Sequence, residues 1–147
     1  MKKKIGLAII TLVTGIAVSA QLSPVFVNDG KAIRGYDPVA YFTEGKPVLG
    51  KEELRFTWNN VDWYFSSQQN LDSFKINSVK YAPQYGGYCA YGLSDGHKAP
   101  TQPDAWTIVN GKLYFNYNTK VREIWKKDLP GRIEKADKNW PEIKDKE

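Results

Sequence analysis

The chain has 147 residues, of which 25% are charged and 14% aromatic, with one cysteine and a formal net charge of +5 at pH 7. A single cysteine excludes an internal disulfide, so the fold must be stabilised by packing, for which the aromatic residues are the obvious material. Removing Lys2, Lys3 and Lys4 from the 21 basic residues leaves 18 against 16 acidic ones. That near balance removes the electrostatic case for binding nucleic acid.

The N-terminus is typical of a secretory signal peptide. Three lysines precede an apolar run over residues 5–18, and small residues follow up to Ala20. This layout predicts a signal peptide over residues 1–20 that is cleaved before Gln21, with an uncleaved membrane anchor as the alternative. We therefore expect an exported protein, periplasmic or secreted, without stable membrane insertion after cleavage. The 127 residues that remain suit one domain.

Three regions follow the predicted cleavage site. Residues 21–32 mix apolar residues with turn formers, which predicts an irregular lead-in with one short edge strand at 25–27. The patterned part of the chain, residues 33–141, is predicted to form a single domain. Residues 142–147 are predicted to form a charged tail.

The residue pattern of the first half of the domain predicts a hairpin followed by a helix. Residues 54–58 alternate apolar and polar side chains, Asn59-Asn60 suits a tight turn, and residues 61–65 form the return strand. Ser66 and Gln69 stand at capping-box spacing, which predicts the start of a helix. Its inward face would carry Leu71, Phe74 and Ile76.

The second half repeats that order with two helices. Asn110-Gly111 between two alternating runs predicts a type I′ hairpin over residues 106–116. Asn118 or Thr119 can cap the next helix, and Pro130 suits the first turn of the last one. The inward residues would be Val121, Ile124, Trp125, Ile133, Ala136 and Trp140. This order predicts an α+β fold, with small antiparallel β-hairpins packed against several short helices.

Residues 81–97 concentrate the unusual chemistry of the chain. They contain its only cysteine, Cys89, its only histidine, His97, four tyrosines and four glycines. One interpretation is a pocket in which Cys89 and His97 meet a ligand or a metal ion. The other is a tightly packed connector whose glycines let the backbone pass close to a core.

Cys89 and His97 allow three interpretations. As a catalytic pair they would need hydrogen-bond contact and a third group, such as Asp95 or Asp104, to orient the imidazole. As a copper or zinc site they supply two ligands, whereas a catalytic zinc needs three and a structural zinc four. Because free cysteine is commonly buried as a small hydrophobic residue, an inert Cys89 is the favoured interpretation.

The aromatic residues and Asp37 are a separate signal. Several aromatic residues could line a groove for a sugar, a flat cofactor or a peptide, although packing in the core is favoured. They are Trp58, Trp63, Tyr64, Tyr85, Tyr88, Tyr91 and Trp106. Asp37, which precedes Pro38, suits a turn or capping role more than acid catalysis.

The short motifs together resemble the YHS-domain family of small α+β modules, some of which are attached to metal-transport ATPases and oxygenases. The matching residues are Asp37-Pro38-Val39, Trp63-Tyr64-Phe65-Ser66, and Phe74 with Tyr81. The longer runs 35–42 and 85–90 look like the exported single-domain branch of that family, whose function is unknown.

The resemblance also has departures that bear on function. Metal-handling members of the family carry cysteines at the positions that are Ala40, Ser66 and Asn70 here. Alanine has no donor atom, and neutral serine and asparagine oxygens bind soft metals poorly. The resemblance therefore implies the family scaffold without its heavy-metal site, with residues 40, 66 and 70 close together and a helix beginning near residue 67.

The leading functional hypothesis is an exported, non-catalytic module that binds a small molecule or a metal ion. Its predicted ligand-binding residues are Asp37, Tyr85, Tyr88, Cys89 and His97. One alternative is a cysteine-dependent enzyme that uses Cys89 and His97, and another is a weak copper or zinc binder that uses the same pair as ligands.

Overall fold

The computed structural model describes residues 24–146, so the predicted signal peptide lies outside the described residues. Within that range the chain forms six strands and six helices. The strands are β1 (Val27–Asn28), β2 (Lys31–Ala32), β3 (Lys51–Trp58), β4 (Val61–Phe65), β5 (Trp106–Val109) and β6 (Lys112–Phe115). The helices are α1 (Ala40–Thr43), α2 (Gln68–Ile76), α3 (Ser78–Tyr81), α4 (Ala90–Ser94), α5 (Thr119–Lys126) and α6 (Leu129–Ile143). The predicted α+β class is confirmed.

The strands form two small sheets. The first has the order β1-β2-β4-β3, with all pairs antiparallel except β2 and β4, and the second is the β5-β6 hairpin. Both predicted hairpin turns are confirmed. Asn59 and Asn60 have φ values of 52° and 61°, and Asn110 and Gly111 have 51° and 73°. Two consecutive left-handed residues are what a type I′ turn requires.

The two sides of strand β6 face two different hydrophobic cores. Leu113 and Phe115 belong to the first core, which includes Trp63 and Phe74. Tyr114 belongs to the second core, which includes Trp125. Because successive side chains of a strand point to opposite faces, one short strand joins both cores into one domain.

Two residues predicted to face inward are exposed instead. The side chain of Ile76 is 86% exposed and that of Ile124 is 42% exposed. The buried face of α2 is set by Phe74, and Ile76 lies two residues further on, about 200° around the helix. Trp125 sets the buried face of α5, and its neighbour Ile124 is rotated by about 100° from it.

The ends of the described chain pack onto the domain. Val25 and Phe26 are buried, and the Phe26 amide donates to the Gly86 carbonyl oxygen at 2.8 Å. This region contains two short strands and not the one predicted: β1 begins two residues after the predicted start at 25, and β2 follows it. At the other end α6 continues to Ile143, past the predicted boundary at residue 141.

A buried carboxylate joins three segments of the first half. Asp37 is 0% exposed. Its Oδ1 accepts hydrogen bonds from the amides of Val39 (2.8 Å) and Ala40 (3.2 Å). Its Oδ2 accepts from the Ser66 amide (2.8 Å), the Ser66 hydroxyl (2.7 Å) and the Asn70 side-chain amide (2.8 Å). Residues 40, 66 and 70 therefore meet at one carboxylate, as the resemblance implies.

This carboxylate also explains why α2 begins one residue later than the predicted cap implies. Ser66, the predicted cap, is bound to Asp37. The hydroxyl of Ser67 takes the capping role and accepts from the Asn70 amide at 3.1 Å.

We predict that Asp37→Ala lowers the free energy of unfolding by at least about 3 kcal/mol. The substitution leaves five donors without their acceptor, and each buried unsatisfied donor costs about 1–3 kcal/mol. Chemical denaturation monitored by tryptophan fluorescence measures the change. The matched control is Asp62→Ala, which removes a half-exposed carboxylate bound by Thr57 and should cost less than about 1 kcal/mol. Equal losses in the two variants would contradict the prediction.

Candidate functional site

The turn Gln84–Gly87 begins the segment that the sequence singles out. Tyr85, Gly86 and Gly87 have φ values of 55°, 62° and 88°, so the backbone is left-handed at three consecutive residues. A Cβ atom on Gly86 would lie 1.8 Å from the carbonyl oxygen of Pro24. Only glycine allows two backbones to approach this closely, and Gly86 therefore fits the close-packed interpretation of the segment.

Cys89 is buried and serves as a helix cap. Its side chain is 2% exposed, and its Sγ accepts hydrogen bonds from the amides of Gly92 (3.4 Å) and Tyr117 (3.2 Å). The thiol also lies 3.6 Å from Oδ1 of Asn116, to which it can donate. Burial raises the pKa of the thiol, and the amide hydrogen bonds offset this only in part. The sulfur is therefore protonated at neutral pH and caps α4.

His97 lies on the surface, and its side chain is not hydrogen-bonded to Cys89. Its amide donates to the Gly92 carbonyl at 3.0 Å. Among residues 24–146 no group of three or more His, Cys, Asp or Glu side chains is arranged to hold a metal ion. The described residues thus supply neither a hydrogen-bonded Cys–His pair nor the third ligand that a catalytic zinc requires.

Tyr88 and Asp37, two further predicted site residues, are engaged within the fold. The Tyr88 ring packs against Phe26 and Trp140, with centroid distances of 5.7 and 6.4 Å, and Lys98 Nζ lies 5.0 Å from its centroid. Burial raises the pKa of the Tyr88 hydroxyl. Both oxygens of Asp37 are occupied by the donors described above. The structure does not bring these residues together with Cys89 and His97 around one cavity.

A cleft of about 550 Å³ lies between the first hairpin, the Gln84–Gly87 turn and α6. Aromatic side chains form its walls: Trp58, Trp63, Tyr85 and Trp140. Polar and charged side chains complete the lining: Asn59, Gln84, Lys112, Asp137, Lys144 and Asp145. Tyr85 is the one predicted ligand-binding residue that lines this cleft. Trp58 and Trp63, two of the residues predicted to line an aromatic groove, also line this cleft.

Hydrogen bonds hold the walls of the cleft in place. The Tyr85 hydroxyl donates to Oδ1 of Asp137 at 2.8 Å, and the Trp63 indole donates to the Trp58 carbonyl at 3.1 Å. Burial, followed by the hydrogen bond to Asp137, raises the pKa of Tyr85, so its hydroxyl remains a donor. Asn139 on α6 donates to the Leu93 carbonyl at 2.9 Å. The cleft is therefore preformed, as most small-molecule sites are.

The sequence reasoning missed the contribution of α6. Trp140 was predicted to face inward, and it does so at the cleft, where it is half-buried. Asp137, Lys144 and Lys112 are exposed, and nothing in the sequence distinguishes them from other surface charges. One local signal was available, because Pro141 follows Trp140 inside a helix. Proline is unfavourable there, since it cannot donate a hydrogen bond to the carbonyl four residues earlier.

Comparison of the chain with protein-family models, with curated proteins and with solved structures finds no match in any of the three. Within residues 24–146 no helix is both long enough and apolar enough to cross a bilayer. The resemblance to the YHS-domain family therefore depends on the short motifs of the sequence alone.

We predict that Cys89 reacts with a thiol reagent only when the protein unfolds. Labelling of the folded chain with 5,5′-dithiobis(2-nitrobenzoate) should be slow from pH 6 to 9, since burial both blocks access and raises the thiol pKa above its ordinary value of about 8.5. The control is Cys89→Ala with Tyr117→Cys, which moves the thiol to a half-exposed position and should react within minutes. Rapid labelling of folded wild type below pH 8 would contradict a buried, inert thiol.

Proposed function

We propose that the chain is an exported, non-catalytic binding module of the YHS type that takes a small amphipathic molecule in the cleft. The observation that carries the proposal is one preformed cavity lined by half-buried tryptophans and by polar side chains, of which Gln84, Lys112 and Lys144 have no hydrogen-bond or ion-pair partner among residues 24–146. Its volume of about 550 Å³ falls within the range of about 300–1,000 Å³ typical of ligand sites. Trp58 and Trp140 offer the apolar surface, and Lys112 and Gln84 offer hydrogen bonds.

The Asp37 cluster supports the family assignment within this proposal. Ala40, Ser66 and Asn70 occupy the positions at which metal-handling members carry cysteines, and all three contact the same carboxylate. Groups that hydrogen-bond to the carboxylate of the shared Asp-Pro-Val motif then stand where those members carry thiolates. This arrangement gives soft metal ions no ligand there.

The environment of Cys89 favours binding over catalysis. A cysteine nucleophile is activated by a lowered pKa or by an adjacent base. Cys89 has a raised pKa and two backbone donors on its sulfur, and His97 makes no hydrogen bond with it. The cleft itself contains neither residue.

Export is the part of the proposal that rests on residues outside the described range. Cleavage before Gln21 would remove the basic and apolar N-terminal segment and leave 127 of the 147 residues. The intact mass of the chain recovered from outside the cytoplasm should equal that of residues 21–147. Recovery of the full-length chain from the cytoplasm alone would contradict export.

Binding in the cleft is tested with N-phenyl-1-naphthylamine, an uncharged probe that combines an apolar ring system with one N–H donor. In ¹H–¹⁵N spectra of the folded protein, the probe should shift the indole N–H signals of Trp58 and Trp140 in a saturable way. Trp140→Ala should weaken binding about tenfold, equivalent to about 1.4 kcal/mol. The control is Tyr117→Ala, which removes a half-exposed aromatic ring outside the cleft and should leave the affinity unchanged. Shifts confined to Gly92 and His97, or no shifts at all, would refute the proposed site.

A further inference from the structure

The charged groups of the cleft balance one another. Lys112 and Lys144 supply two positive charges, and Asp137 and Asp145 supply two negative charges. A site without net charge creates little field to attract an ion of either sign. An anionic ligand would meet the two aspartates, and a cationic one would meet the two lysines. The lining therefore favours a ligand without net charge.

The same lining has hydrogen-bonding groups that the fold leaves available. The side chains of Gln84, Lys112 and Lys144 make no hydrogen bond or ion pair with any residue in the range 24–146. Asp137 uses Oδ1 for Tyr85. In an α-helix the Asp137 carbonyl would accept a hydrogen bond from the amide of the residue four positions later. That residue is Pro141, which has no amide hydrogen, so this helical hydrogen bond is missing. Donors and acceptors are therefore both present in the lining of the cleft.

Two tryptophans present partly exposed rings to the cleft, and each packs against other aromatic rings. Trp58 packs against Trp63 and Phe74, with centroid distances of 5.9 and 5.6 Å. Trp140 packs against Tyr85 at 6.0 Å. The face of an aromatic ring carries partial negative charge and attracts groups with partial positive hydrogens, such as the C–H groups of a sugar ring.

We infer that the ligand of this cleft is a short uncharged saccharide. A sugar combines an apolar C–H face, which suits Trp58 or Trp140, with hydroxyl groups that both donate and accept hydrogen bonds. Gln84, Lys112 and Asp137 match those hydroxyls, and the balanced charges match a neutral molecule. The inference rests on the proposed function, because it names the ligand class of the same site.

The test is a titration of the full folded chain with cellobiose, maltose and N,N′-diacetylchitobiose, followed by tryptophan emission. At least one should give a saturable change with a dissociation constant below about 1 mM and should displace N-phenyl-1-naphthylamine. Trp140→Ala should weaken saccharide binding about tenfold. Lys112→Met, whose side chain has no partner in the described fold, should weaken it about threefold without changing the thermal midpoint. Tyr117→Ala should have no effect.

The outcomes separate this inference from the proposed function. If no saccharide binds while the naphthalene probe still occupies the cleft, the saccharide inference is wrong and the proposed binding function is retained. If the zwitterionic dipeptide Ala-Tyr displaces the probe and the saccharides do not, the ligand class is wrong. Saccharide binding that neither Trp140→Ala nor Lys112→Met weakens would lie elsewhere and would also overturn the inference. If neither probe nor saccharide binds, both proposals fall.

Discussion

The five hydrogen bonds to the Asp37 carboxylate are the constraint on which the first half of the fold depends. A charge taken out of water is tolerated only where enough donors replace its hydration. Here the donors come from the start of α1, the end of β4 and the first turn of α2, so these segments must meet for the charge to be satisfied. Their meeting brings Phe74 of α2 within 5.3 Å of Trp63, centroid to centroid, and within 5.6 Å of Trp58. The Asp37 carboxylate thereby positions the tryptophan wall of the cleft, although Asp37 does not itself line the cleft.

The cleft forms where the two hydrophobic cores approach each other. Trp58 and Trp63 come from the first core, whereas Tyr85 and Trp140 come from the second. Strand β6 contributes to both cores, so the two walls cannot move apart without exposing Leu113, Tyr114 or Phe115 to water. Because the elements around the cleft are fixed in this way, they need little ordering when a ligand binds, which favours affinity for a small ligand.

The residues with the most reactive side chains serve the structure, while ordinary-looking residues form the cavity. Cys89 caps a five-residue helix, and its sulfur contacts the Asn116 side chain and accepts from the Tyr117 amide. His97 stands at the surface beyond that helix. Trp140 and Asp137, on a helix rich in charged residues, form one wall of the cleft instead.

The sequence by itself determined the α+β class, the two hairpin turns, a helix cap at Asn118 or Thr119 and a last helix with Pro130 in its first turn. Each of these depends on residues a few positions apart, whose backbone preferences act wherever the segment lies. Tertiary structure alone decided that Ser66 binds Asp37 and leaves the cap to Ser67, and that Trp58 and Trp140 share one cleft. Those outcomes depend on contacts between distant segments, and such contacts form only when the buried charge and the two cores are satisfied together.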